Sequence, residues 1–314
     1  MALPTSPSEW LGAVSWHVRG LFASEQNRNF GFRLRELWQP AEIEARRGMA
    51  RDLATEVATE LRVDRQAGHL VAPTVAMPSL DEVTRIGHRI VSEATLADGE
   101  ANTAKKFSRY RLASFEERLA LLRVGLDRRV LAMVAAYLGV IPVISEADFF
   151  CSFLVDGAFT KSQLWHCDDD AGDVFKLFVY CDDVTPADGP FELIEPPTST
   201  RVRKEIGYRY AGRRYRVSDA VMERHVPTSE IKQIMGPRGT AFVVDTVRCF
   251  HRGSRIVEEG HRRVAAMVCY TPPNGRTVPR RLAKAKAPLA DFEPSFSGEL
   301  ERAVLGMSVA KKWI

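Results

Sequence analysis

Two patterns of apolar and polar positions divide the chain. Up to about residue 142 the apolar residues recur at helical spacing. Ser79-x-x-Glu82 reads as a capping box ahead of Val83, Ile86 and Ile90, which share one helical face. Ser114-x-x-Glu117 is a second box, opening the runs RLALLRVGL and RRVLAMVAAYLG, with Gly139 and Pro142 as the stop. PAEIEARRGMARDLATEVATELR, from Pro40, predicts a third helix with a charged outer face. After Pro142 the pattern changes to short aromatic and β-branched runs between turn signals: DFFCSFLVDG, SQLWHCD, VFKLFVYCDDV, FELIE, GTAFVVD and RRVAAMVCYTPP. This predicts a β sandwich or barrel over 143–273, braced on one face by the helices of 1–142. The Pro- and Lys/Arg-rich tail, 274–314, is expected to pack back as loops and a short helix, making 1–314 a single domain.

Composition narrows the class. With 314 residues, 45% hydrophobic and 27% charged, the chain falls in the globular range, which excludes disorder or coiled coil as a whole-chain description. The balance of 44 basic to 40 acidic residues is too mild to argue for wholesale binding to nucleic acid or membrane. No apolar run reaches the length of a membrane span, and the first ten residues do not read as a signal peptide. Cys151, Cys167, Cys181, Cys249 and Cys269 form no C-x-x-C pair, so reduced core thiols in a cytoplasmic protein are expected, without a cysteine zinc site.

The chemistry is concentrated in WHCDDD. On a strand, residues two apart share a face, so His166 and Asp168 can chelate one ion from inside a barrel. About 0.3–0.4 such H-x-D pairs are expected by chance in a chain of this composition, so the pair alone says little. A third ligand is needed, and His251 in RCFHRGSR, 83 residues after Asp168, is the candidate. Two histidines and one carboxylate make the facial set that suits non-haem Fe(II) and leaves positions open for a co-substrate and O₂. Asp170 would share the face of His166 on a regular strand, whereas Asp169 would point away. Ten residues separate His251 from Arg262, which opens the strand RRVAAMVCY, where a guanidinium can grip a carboxylate bidentately. A chelating 2-oxo acid with a distal carboxylate, as in 2-oxoglutarate, needs such a grip. Arg263 would face the other way and is the control for this assignment.

These motifs, in the order SQLWHCD, FKLFVYCDDVTPADGPFELI, GTAFVVDTVRCFHRGSR and RRVAAMVCYTPP, resemble the phytanoyl-CoA dioxygenase family of Fe(II)/2-oxoglutarate oxygenases across about 145–273. The resemblance implies a double-stranded β-helix (jelly roll, cupin-like) core. It implies iron on His166, Asp168 and His251, and the 2-oxoglutarate 5-carboxylate on Arg262. Gln163 and Phe178 stand where family members line the co-substrate pocket. The serine that often follows the distal histidine by two positions is here Gly253, with Ser254 next to it. Related halogenases have a small residue in place of the carboxylate, so Asp168 favours hydroxylation, with release of succinate and CO₂.

TSTRVRKEIGYRYAGRRYR carries seven basic residues (Arg201, Arg203, Lys204, Arg209, Arg213, Arg214 and Arg216), three tyrosines and one acid. It reads either as a solvated insertion loop or as a lid over the iron site that recognises a phosphate- or carboxylate-bearing small molecule. Lys105, Lys106 and Arg109 form a second basic cluster, on a helix surface or the far wall of the cleft. His17, His69, His88, His225 and His261 lack a second ligand at useful spacing, and Trp165 is expected to face the core behind the metal. The competing readings are a non-catalytic jelly-roll homologue and an oxygenase acting on nucleic acid or protein.

Overall fold

The computed structural model describes residues 36–37, 39–72, 77, 80–97, 107–110, 115–154, 157–169, 172–210, 215–253, 255–273, 296 and 298–306. Within these, nine strands form two antiparallel sheets. The strands are β1 (His69–Ala72), β2 (Phe107–Tyr110), β3 (Val143–Phe153), β4 (Phe175–Tyr180), β5 (Phe191–Ile194), β6 (Ile231–Ile234), β7 (Ala241–Asp245), β8 (Phe250–Arg252) and β9 (Arg262–Thr271). The large sheet runs β1-β7-β4-β9-β3-β2 and the small one β6-β5-β8. This is the double-stranded β-helix arrangement with helices against the large sheet, a mixed helix and sheet fold as expected.

Alternation along each strand assigns the two faces of the large sheet. Phe175, Leu177 and Val179 of β4, Ala241 and Val243 of β7, and Val264, Ala266, Val268 and Tyr270 of β9 pack outward against helical residues such as Leu53, Val83, Leu122 and Val134. Phe178 and Tyr180 of β4, Phe242 and Val244 of β7, and Ala265 of β9 point inward and meet Phe191 and Leu193 of the small sheet. On β3 the parity breaks. Ile144 faces outward with Tyr270, but a bulge between Ile144 and Glu146 shifts the register. Phe149 and Cys151 therefore take the outward face, while Glu146 and Phe150 turn into the space between the sheets.

The helices depart from the sequence expectation in detail. The helix from Pro40 ends at Ala54, not at residue 62, where the Thr55 hydroxyl donates to the Asp52 carbonyl (2.7 Å), and a short turn of 3₁₀ helix, Thr59–Leu61, follows. The Arg128–Leu138 helix stops at Gly139 as expected, at φ 70°, and its N-cap is Asp127, whose side chain accepts from Arg129 N. Ser79 and Ser114, the expected caps of the Leu80–Ala97 and Phe115–Gly125 helices, lie outside the described residues.

The N-terminal third is not purely helical. It contributes β1 and β2 to the large sheet, so Arg109 sits on an edge strand opposite Phe150 and not on a helix. The basic segment after β5 is not a plain loop, because Pro196–Glu205 is helical. In the tail, Glu299–Val304 is helical and buries Ala303 and Val304 in the helical core. No described helix is long and apolar enough to cross a membrane, and all five cysteines are buried and outside any disulfide.

Candidate metal centre

SQLWHCD does not form the regular strand expected of it. Lys161–Gln163 is a 3₁₀ turn, and the residues after it pair through single bridges, Trp165 with Val217 and His166 with His251. The second bridge matters most. His166 N donates to His251 O (3.1 Å) and His251 N to His166 O (2.9 Å), so two histidines 85 positions apart are stapled backbone to backbone. Asp168 N donates to Thr246 O (2.7 Å), fixing the next inward residue. Trp165 and Cys167, of opposite parity, enter a second apolar cluster with Phe250, and Tyr208 secures that side by accepting from Cys167 N (3.0 Å).

His166, Asp168 and His251 converge. One ligand atom of each lies within 4.8 Å of the others, and Asp168 Oδ1 is 3.9 Å from His166 Nε2 and 4.0 Å from His251 Nε2. His166 Nδ1 is 2.9 Å from Leu164 O, and His251 Nδ1 is 3.1 Å from Cys249 O. Both carbonyls require a proton on Nδ1, which leaves the Nε2 lone pairs aimed at one point. Burial is the main reason both imidazoles are held neutral, His251 down to about 4 and His166 also well below its ordinary value. Asp168 is held ionised. Burial opposes this but is outweighed by Lys176, whose Nζ is 2.6 Å from Oδ2. Two neutral imidazoles and one carboxylate oxygen, each already oriented by a second contact, suit a divalent ion such as Fe(II).

The triad opens on a cavity of about 280 Å³ between the sheets. Its wall includes Glu146, Lys176, Phe178, Arg216, Arg263 and Met267. Here the strand phase of the sequence reading is corrected. Arg262 has the outward parity of Val264, and it lines a separate surface notch and approaches Asp182 (3.7 Å). Arg263 has the inward parity of Ala265, and its guanidinium reaches the cavity and donates to Gly189 O (2.7 Å). Burial depresses the Arg263 pKa, so an anion arriving there would meet a poorly solvated cation. A Cβ at Gly253 would stand 3.0 Å from Arg263 Nη1, so the missing side chain after the distal histidine makes room for this arginine.

The remaining candidates divide. Phe178 lines the cavity, with its ring stacked on Phe242. Gln163 does not. Its Oε1 accepts from Thr160 N in the 3₁₀ turn, and the neighbouring Ser162 is the residue at the cavity wall. Ser254 and Asp170 lie outside the described residues, and Asp169 is in neither the ligand group nor the cavity wall. Lys176 and Glu146 escaped the sequence reading as cavity residues, whereas Arg216 belongs to the basic segment for which a lid was one of two readings. For Lys176 the signal was available, as a single charge at an inward position of an otherwise apolar strand, FKLFVY. His69, His88, His225 and His261 make peripheral contacts, with Ala67 O, Asp182, Glu205 and Asp188 respectively.

No family model matches the chain, and no curated protein does. Solved structures align to part of the chain at low overlap. HygX from Streptomyces hygroscopicus, with nickel and 2-oxoglutarate bound, is 17% identical over 67% of this chain and 88% of its own, with a TM-score of 0.41. EctD from S. alaskensis with bound Fe is 16% identical over 66% and 74%, with a TM-score of 0.42. The epimerase SnoN, in complex with Fe3+, alpha ketoglutarate and nogalamycin RO, is 12% identical over 73% and 85%, with a TM-score of 0.45. The functional reading rests on the side chains.

Proposed function

We propose that the protein is an Fe(II)- and 2-oxoglutarate-dependent oxygenase that hydroxylates a small molecule. The observation that carries this is the convergence of His166 Nε2, His251 Nε2 and Asp168 Oδ1 on a cavity whose wall also holds Arg263. The three side chains would hold iron, and Arg263 would hold the distal carboxylate of 2-oxoglutarate. Iron, the 2-oxo acid and O₂ together supply an oxidant able to remove hydrogen from an unactivated C–H bond, with release of succinate and CO₂. The chain contributes orientation. The Leu164 and Cys249 carbonyls fix the imidazoles, Lys176 holds Oδ2 so that Oδ1 faces the ion, and Phe178, Phe191 and Phe242 exclude water from one side. The presence of a carboxylate ligand favours hydroxylation over halide transfer.

Anaerobic addition of Fe(II) and 2-oxoglutarate tests the proposal. The wild-type protein should develop the weak visible metal-to-ligand band and, once air is admitted, form succinate. His251→Ala should do neither while keeping its circular dichroism spectrum. A protein that shows no band and does not bind Fe(II) would support the non-catalytic reading, and salt-dependent retention on DNA or RNA would support a macromolecular substrate.

A further inference from the structure

The basic segment after β5 sends one described cation into the cavity. Arg203 is buried elsewhere, donating to Arg248 O (3.0 Å), and Arg201 is engaged by Glu205. Arg216 is different. The bridge between Trp165 and Val217 sets it beside His166, and it lines the cavity together with the triad. Its guanidinium lies over the neighbouring Tyr215 ring (4.3 Å to the centroid). Its Nη1 is buried and has no hydrogen-bond partner among the described residues. A buried guanidinium nitrogen left in this state is costly and calls for an anion.

Charge balance shows whose anion it is. The other described cations of the cavity wall are matched once the site is filled as proposed above. Arg252 is paired with Glu192, and Asp219, which also touches it, is shared with Arg255, so these two arginines and two acids cancel. Lys176 is paired with Asp168, and Glu146 lies close enough to Lys176 to act on its charge. A divalent ion is then balanced by the 2-oxo acid's near carboxylate and by Glu146, and Arg263 by the far carboxylate. One positive charge is left over, and it is that of Arg216.

We propose that Arg216 is the recognition residue for the primary substrate and that this substrate carries a singly charged oxyanion, a carboxylate or sulfonate-like group, bound on the Arg216 side of the cavity. The inference rests on the oxygenase reading, because the 2-oxo acid must already have taken Arg263.

The test uses the full chain loaded with Ni(II) and 2-oxoglutarate without turnover. Benzoate and benzenesulfonate are titrated calorimetrically against the neutral isosteres benzamide and benzyl alcohol. The anions should bind more tightly than the isosteres. Arg216→Gln should weaken anion binding by about tenfold or more, as expected for loss of a buried charge partner, while 2-oxoglutarate affinity stays near wild type. Arg216→Lys should retain part of the anion affinity, which separates loss of charge from loss of fold. Anions that bind no better than benzamide, or an Arg216→Gln protein with wild-type anion affinity, would overturn the proposal. Loss of 2-oxoglutarate in place of the anion would also overturn it, by giving Arg216 to the co-substrate. If wild-type protein binds neither Ni(II) nor 2-oxoglutarate, the oxygenase reading fails first, and this inference fails with it.

Discussion

The two oxygens of Asp168 face different partners, Oδ1 the imidazoles and Oδ2 the Lys176 ammonium. Removing one charge of such a buried pair strands the other, at a cost of about 3–5 kcal/mol. Asp168→Ala should therefore lose both metal binding and stability, measured by metal titration and denaturant unfolding. Adding Lys176→Met should recover much of the stability but not the metal. The pH sign follows from the same pair. The Asp168 pKa is depressed in the folded state, so its contribution is present above the ordinary carboxylate range and is lost as the pH falls below it. Arg263→Gln should raise the 2-oxoglutarate requirement by about 30-fold or more while leaving metal affinity near wild type, as expected for about 2 kcal/mol or more from a buried charge pair. Arg262→Gln should change neither, since that side chain lies in the surface notch near Asp182.

Among elements, the segment 165–168 has little ladder of its own and is tied down by its neighbours. Tyr208 accepts from Cys167 N (3.0 Å) and lies 3.0 Å from Tyr215 O, so one hydroxyl joins the segment of His166 and Asp168 to the one that carries Arg216. Tyr208→Phe leaves the Cys167 amide without this acceptor, at a cost of about 1–3 kcal/mol. The expected result is a lower unfolding midpoint together with weaker Fe(II) binding, because Cys167 lies between His166 and Asp168, the residues proposed to hold the ion. The β3 bulge acts in the same way at the level of a strand. It reverses the parity after Ile144, so that a glutamate reaches the cavity while Phe149 and Cys151 remain in the helical core.

At the scale of the molecule, the helical layer reaches the site through Asp245, at the end of β7. Asp245 is fully buried and accepts from Tyr137 Oη (2.9 Å) and from the amides of Val247 (3.1 Å) and Arg248 (3.0 Å), which shapes the turn leading to His251. Burial, reinforced by Asp173, pushes its pKa up to about 7. A carboxyl with a raised folded-state pKa stabilises the fold when protonated. That contribution is full below the ordinary carboxylate range and falls away as the pH rises through about 7. Its slope should approach about 1.4 kcal/mol per pH unit inside that window. Denaturant midpoints from pH 4 upward should show the decline, and Asp245→Asn should flatten it.

The sequence determined the parts that depend on local spacing. A mostly helical first region and a β second region, the stop at Gly139, and the grouping of His166, Asp168 and His251, which the fold brings together, were legible, because periodicity and a two-residue offset survive without knowledge of the neighbours. Tertiary structure decided which arginine faces the site. RRVAAMVCY is apolar on both faces, since one side meets helices and the other the small sheet, so no polar alternation marks its phase. It also decided the bulge that turns Glu146 inward, the use of Gln163 as a cap, and the pairing of Lys176 with Asp168. Each of these depends on which segment lies opposite, and that is fixed only when the two sheets close around the cavity.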